Sequence, residues 1–308
     1  MASDRTVAVA ARLALLTVGA AAFVVLAYLI GVRTAHGQRL DDAAWLGRHA
    51  ATARAAHAAR IVLATISVSS LALALMVFVV VAFGRGRPRL ALVVGCATLG
   101  ACVTTEVLKR IVLTRPVLLS DAPIAKNTLP SGHSTVAMAV AMAAVLVAPR
   151  HWRGAVGIVG FVYASAVGGA TLVVGWHRPS DVVAGFAVAT AWAAAGACVL
   201  VLWRGSGGAH PRRAGPEPPQ LAGLLTAVGV GLVVAALAML VGVVGRSDQL
   251  FVLDRTRAFA AAAVLIGATA ALFGAALLGA LRDVTLDPPA VSDRGVDTRR
   301  ERPVTSRA

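Results

Sequence analysis

Apolar residues in this 308-residue chain gather into eight runs, approximately 7 to 30, 61 to 83, 90 to 109, 134 to 149, 154 to 175, 181 to 203, 221 to 245 and 258 to 281. A bilayer core about 30 Å thick takes about 20 helical residues to cross. The runs are apolar on every face rather than striped, which is the pattern of spans and not of surface helices. Inside lipid every backbone N–H and C=O must find an internal partner, so the runs predict an all-α, polytopic helical membrane protein. Charged residues are 14% of the chain, against about 25% in an ordinary soluble domain, which excludes a water-soluble globule.

Spacing divides the chain. Residues 1–203 hold six spans, 204–220 form a polar linker rich in Gly, Pro and Arg, 221–282 hold two additional spans, and 283–308 read as a disordered cytoplasmic tail. The fourth run is short and is expected to begin near Ser131. The first run, interrupted by Arg12, is longer than the apolar region of a signal peptide and reads as an uncleaved span. Arg12 is expected to face other helices or water. Gly154, Gly157, Gly160 and the pair Gly168 and Gly169 recur at helical spacing and signal close helix packing. Cys96, Cys102 and Cys198 lie inside apolar runs with no metal-ligand or disulfide spacing, so they read as packing residues.

A net charge of +15 would suggest nucleic acid in a soluble chain. Here the basic residues lie between spans, so orientation and anionic ligands explain them and no nucleic-acid partner is expected. The short connections Arg85–Arg89 and Arg150–Arg153 place both termini in the cytoplasm by the positive-inside rule. Of the 29 basic residues only Lys109 and Lys126 are lysine, which gives weight to each.

With that topology three polar clusters fall on one face, the outer one. Lys109 and Arg115-Pro116 close the third span, Pro130-Ser131-Gly132-His133-Ser134 opens the fourth, and Trp176-His177-Arg178-Pro179-Ser180-Asp181 joins the fifth to the sixth. Polar residues at membrane depth are functional candidates because they are costly there. Cations beside a Gly and Ser at a helix start suit a bound phosphate. His177 and Asp181 are four apart; if the sixth helix begins at or before His177, the carboxylate holds one imidazole nitrogen and leaves the other aimed at phosphorus. His133 is then free to protonate a leaving oxygen and later activate water. Positioning and charge stabilisation, which dominate phosphoryl transfer, are supplied without a metal or cofactor.

These clusters resemble the signature of the type 2 phosphatidic acid phosphatase family, integral-membrane lipid phosphate phosphatases that share a histidine-based site with vanadium haloperoxidases and glucose-6-phosphatase. The family pattern is Lys-x6-Arg-Pro, Pro-Ser-Gly-His, and Ser-Arg-x5-His-x3-Asp, and the resemblance covers about residues 7 to 203. It implies a phosphohistidine intermediate on His177 oriented by Asp181, His133 as general acid and base, and phosphate binding by Lys109, Arg115, Ser131 and Gly132. Two departures stand out. Five residues rather than six separate Lys109 from Arg115, which local backbone irregularity before Pro116 can absorb. The Ser-Arg pair of the third cluster is replaced by Ala170 and Thr171, so one phosphate-binding arginine is missing; Arg178 is the nearest replacement and Arg110 a second.

The reading is metal-independent hydrolysis of a lipid phosphomonoester or pyrophosphate, such as a polyprenyl phosphate or diphosphate or phosphatidic acid, at the outer face of the cytoplasmic membrane. Its rival is an inactive relative that binds lipid phosphate or serves as a scaffold. Other polar residues have plainer expectations. Glu106 pairs with Lys109 one helical turn away, Lys126 is solvated, and Trp176 is an interface anchor. The first outer loop, with His36, His49, His57 and helical character over Asp41 to Arg60, is either an interfacial helix acting as a lid or a solvated connector.

Overall fold

The computed structural model describes residues 2–119, 126–205, 220–244 and 252–284, and the regular structure among them is entirely helical. In chain order the helices are α1 (Ala2–Ala27, continued by a π-helical turn Tyr28–Val32), α2 (Ala35–Gly47), α3 (Ala53–Ala64), α4 (Val68–Gly84), α5 (Pro88–Val107, continued by a π-helical turn Leu108–Val112), α6 (Gly132–Val147), α7 (Arg153–Val173), α8 (Pro179–Gly205), α9 (Gln220–Val244) and α10 (Val252–Leu281). Most of the expected linker, 206–219, and of the expected tail, 285–308, lies outside the described residues.

Among the described residues six helices are long and apolar enough to cross a membrane, and a seventh span is formed if α3 and α4 count as one. The chain is a multi-pass membrane protein. All eight apolar runs are helical, but two differ from simple spans. The run at 61 to 83 is broken, with α3 and α4 meeting at a 55° bend. Ser67 opens α4 with a reciprocal capping box to Ser70, which satisfies the backbone donors that a bend exposes. The fourth run is α6, only 16 residues long, or about 24 Å at 1.5 Å per residue. It starts at Gly132 with Ser131 as N-cap, as the sequence suggested.

α8 is the central helix, with 61% of its most apolar window buried. It packs on α1, α5, α6 and α10, while α6 fills the space between α5, α7 and α8. Lipid tails are as apolar as leucine, so helices here associate through close packing and not through water exclusion. Gly160 supplies such a contact: a Cβ there would sit 2.8 Å from the Ala141 Cβ. At Gly168 a Cβ would sit 2.7 Å from Val182, whereas Gly169 faces open space and carries no packing role. α10 lies on α2, α7 and α8 and carries α9 on its outer side.

The end of the bundle away from α2 is tied by arginines. Arg85 and Arg87 donate to the Val147 carbonyl at 2.9 and 3.3 Å, at the C-terminus of α6 where the helix dipole favours cations. Arg150 donates to the Arg282 carbonyl and Arg153 to that of Val284, both just past α10. Arg12 pairs with Asp283 at 2.7 Å, which joins α1 to the end of α10 and meets the expectation that Arg12 avoids lipid.

Candidate active site

The turn between α7 and α8 is built by its caps. Gly175, at φ +76°, ends α7 in the left-handed region that glycine adopts without strain. Its N–H donates to the Leu172 carbonyl at 3.0 Å and that of Trp176 to the Thr171 carbonyl at 2.9 Å, the paired bonds of a Schellman stop. α8 then starts with Pro179 in its first turn, where a missing N–H costs nothing. Asp181, in that first turn, folds its carboxylate back to accept the backbone N–H of Arg178 at 3.0 Å. His177 therefore lies outside the helix, not on it as a shared face with Asp181 requires. The pairing survives by another route, because the returning carboxylate brings Oδ2 to 3.2 Å from Nδ1 of His177. Thr128 donates to the same oxygen at 2.6 Å.

The start of α6 is pinned to this turn. The N–H of Ser131 donates to the Asp181 carbonyl at 2.8 Å, and Gly185 lets α8 approach so closely that a Cβ would lie 2.7 Å from the Ser131 carbonyl oxygen. Ser131 is fully buried and its hydroxyl caps α6, accepting from the Ser134 hydroxyl at 3.0 Å. His133 is half-buried, its ring 5.2 Å from that of Trp176. Trp176 is 50% exposed, so the expected interface residue also forms one wall beside a candidate histidine.

The first cluster arrives along α5. The π turn Leu108–Val112 closes with Leu113 N–H on the Leu108 carbonyl at 2.8 Å, and the backbone is extended at Leu113. This is the irregularity expected between Lys109 and Arg115. Lys109 Nζ pairs with Glu106 at 2.9 Å, as expected, and lies 3.6 Å from where a Gly132 Cβ would be. Arg110 pairs with the other Glu106 oxygen and its side chain is 77% exposed. Asn127 binds the segment together, donating to the carbonyls of Lys109, Leu113 and Leu129. Lys126 is exposed, as expected.

Arg115 and Arg178 come together on a residue that the motifs do not contain. Asp42 Oδ1 lies 2.5 Å from Arg178 Nε and 3.7 Å from Arg115 Nη2, and all three side chains are buried. α2 is thus no solvated connector. Gln38 donates to the carbonyls of Val32 and Pro116, Asp41 accepts from the N–H and hydroxyl of Ser180, and Trp45 donates to the Gly175 carbonyl. Residues 38, 41, 42 and 45 follow the i, i+3, i+4, i+7 pattern of one helix face, and that polar stripe was the available signal. Burial pushes the Asp41 carboxyl up to about 7, helped by the charge of Asp181 and opposed by the Ser180 hydrogen bonds. Burial and the neighbouring Arg178 charge lower the pKa of Arg115. Thr171, where the arginine is missing, is buried with its hydroxyl on the Gly168 carbonyl.

Residues 61–205 match the family model described as PAP2 superfamily. This segment resembles the PAP2 superfamily. No curated protein and no solved structure matches the chain. A match to the PAP2 superfamily implies phosphatase activity on phosphate esters. The matched PAP2 segment contains Lys109, Arg115, Ser131, Gly132, His133, His177, Arg178 and Asp181, whereas α2 with Asp41 and Asp42 precedes it.

Proposed function

We propose that the protein hydrolyses a lipid phosphomonoester or pyrophosphate without a metal ion, through a phosphohistidine on His177. The observation that carries this reading is the contact between His177 Nδ1 and Asp181, beside the start of α6 and its His133. A carboxylate on Nδ1 fixes the tautomer with Nε2 unprotonated and nucleophilic. Nε2 attacks phosphorus, the bond from phosphorus to the ester oxygen breaks, and His133 gives that oxygen its proton. His133 then takes a proton from water, the water oxygen attacks phosphorus, and the P–N bond breaks to release inorganic phosphate and restore both histidines.

Lys109, Arg115, Ser131, Gly132 and Arg178 are the phosphate-binding set in this scheme. The cations stabilise charge on the transferring group, while buried Ser131 contributes by capping α6 so that its first N–H groups face the anion. Sites at helix ends admit a lipid laterally, with its head group held and its chains in the bilayer. A polyprenyl phosphate or diphosphate and phosphatidic acid all meet this requirement. The site is assigned to the outer face of the cytoplasmic membrane with both termini inside, and residues 1–203 to the catalytic core.

Thr171 supports a second reading, an inactive relative that binds lipid phosphate, because the family pattern has a phosphate-binding arginine there. Purified full chain incubated with phosphatidic acid or a polyprenyl phosphate in chelator separates the two. Phosphate release abolished by His177→Ala supports the enzyme. Binding without release, or release that chelator stops, overturns the proposed chemistry.

A further inference from the structure

A cation missing at Thr171 leaves the phosphate short of one partner unless another guanidinium is held in its stead. Arg178 is fully buried and its Nε is on Asp42. Arg115 is buried as well, and its Nη2, 3.7 Å from Asp42 Oδ1, has no hydrogen-bond partner among the described residues, which leaves a strong donor for an anion. Two guanidiniums this close repel each other in a low-dielectric setting. The single oxygen Asp42 Oδ1 faces both and offsets that repulsion.

Asp42 is itself held on both sides. Within its own helix, Gln38 is bound to the Pro116 carbonyl, next in chain to Arg115, and Trp45 to the Gly175 carbonyl, three residues before Arg178. Asp41 fixes Ser180 in the first turn of α8. α2 therefore meets the chain next to Arg115 and on both sides of Arg178, and its position sets theirs.

We propose that Asp42 is a positioning residue: its carboxylate holds Arg178 beside Arg115, and the two arginines together clamp the phosphate that a cation at position 171 would otherwise hold. This rests on the phosphate-site reading above and adds to it a residue outside the matched segment.

The test uses purified full chain in detergent, with orthovanadate as phosphate analogue, inorganic phosphate as ligand and phosphatidic acid as substrate. Asp42→Asn keeps the side-chain shape and removes the charge. It is expected to raise KM and the orthovanadate concentration for half inhibition by about tenfold or more. Arg178→Gln is expected to do the same, and the double variant to be no weaker than the worse single one, because Asp42 acts through Arg178. Damage to folding alone lowers the amount of active protein but leaves half inhibition by orthovanadate where it was.

Unchanged or tighter orthovanadate inhibition in Asp42→Asn overturns the proposal, since the carboxylate would then be idle or competing with the anion. Losses that add in the double variant also overturn it. Should Asp42→Asn not fold, Arg178→Gln still decides: inhibition equal to the parent removes the clamp. If the parent chain shows no turnover, the phosphatase reading fails separately, and inorganic phosphate binding by the same variants continues to read the clamp.

Discussion

The hydroxyl of Thr128 donates over 2.6 Å to Oδ2 of Asp181, the oxygen that also faces Nδ1 of His177. One atom thus orients the imidazole while being oriented from the loop before α6. Asp181→Asn should lower kcat by about 100-fold or more, because an amide no longer fixes the imidazole tautomer. Thr128→Val should cost about tenfold, the equivalent of roughly 1.4 kcal/mol. Phosphate release at saturating lipid phosphate measures both. Equal rates for Thr128→Val and the parent would show that Asp181 needs no second support.

Glu106 accepts from Lys109 and from Arg110. A half-exposed carboxylate of this kind is a partner for cations, and ion pairs near the surface contribute little, about 0 to 1 kcal/mol. Glu106→Gln should keep kcat/KM within about threefold of the parent, while Lys109→Ala should lose about 100-fold as a phosphate contact. If Glu106→Gln falls as far as Lys109→Ala, the carboxylate takes part in proton movement and its assignment as a partner is wrong.

Asp41 titrates near 7 in the folded chain against an ordinary value of 3.8. Between those values the folded state keeps a proton that the unfolded state releases, so stability falls as pH rises through the window and levels off above about 7. At about 1.4 kcal/mol per unit the effect is capped at about 4 kcal/mol. Asp41→Asn removes this component, so its thermal midpoint in detergent should gain on the parent from about pH 4 to pH 7. Parallel midpoint curves over that range would contradict a proton on Asp41.

Gly185 sits where a Cβ would meet the Ser131 carbonyl oxygen at 2.7 Å and the Thr135 hydroxyl at 3.0 Å. Neither neighbour can give way, since Ser131 caps α6 and Thr135 is bonded to Thr105 at 2.9 Å. Gly185→Ala should cost about 1 to 3 kcal/mol by overpacking. It should also reduce phosphate release, as α8 carries Asp181 away from Ser131. A variant with the parent's thermal midpoint and rate would refute the close approach.

Much of this architecture could be read from residue order because the membrane enforces it. A run apolar on all faces has few alternatives to a helix, and all eight are helical. The break between α3 and α4 was less visible, although Ser67 and Ser70 carry its cap in three residues. His177, Asp181, His133 and Lys109 stood out as candidates because ionisable side chains are costly at the ends of membrane spans. Gln38, Asp41, Asp42 and Trp45 were not, since α2 also bears His36 and Arg39, with Arg48 just after it, and a helix rich in charge reads as solvated. Only tertiary contact shows that the carboxylates point inward. Asn127 and Thr128 are ordinary loop residues whose importance lies wholly in what they touch.

The shared oxygen of Asp42 also bears on where this protein's working unit begins. The family segment starts at residue 61, but one residue that gathers its two arginines lies nineteen positions upstream by the numbering. Gly47 then rests so tightly on α10 that a Cβ would run into the Arg255 carbonyl oxygen. Excising the matched segment would separate the arginines from Asp42, and deleting α10 would remove a helix on which α2 rests. A comparison confined to residues 61–205 would include Thr171 and Arg178 but miss the carboxylate of Asp42 on which Arg178 rests.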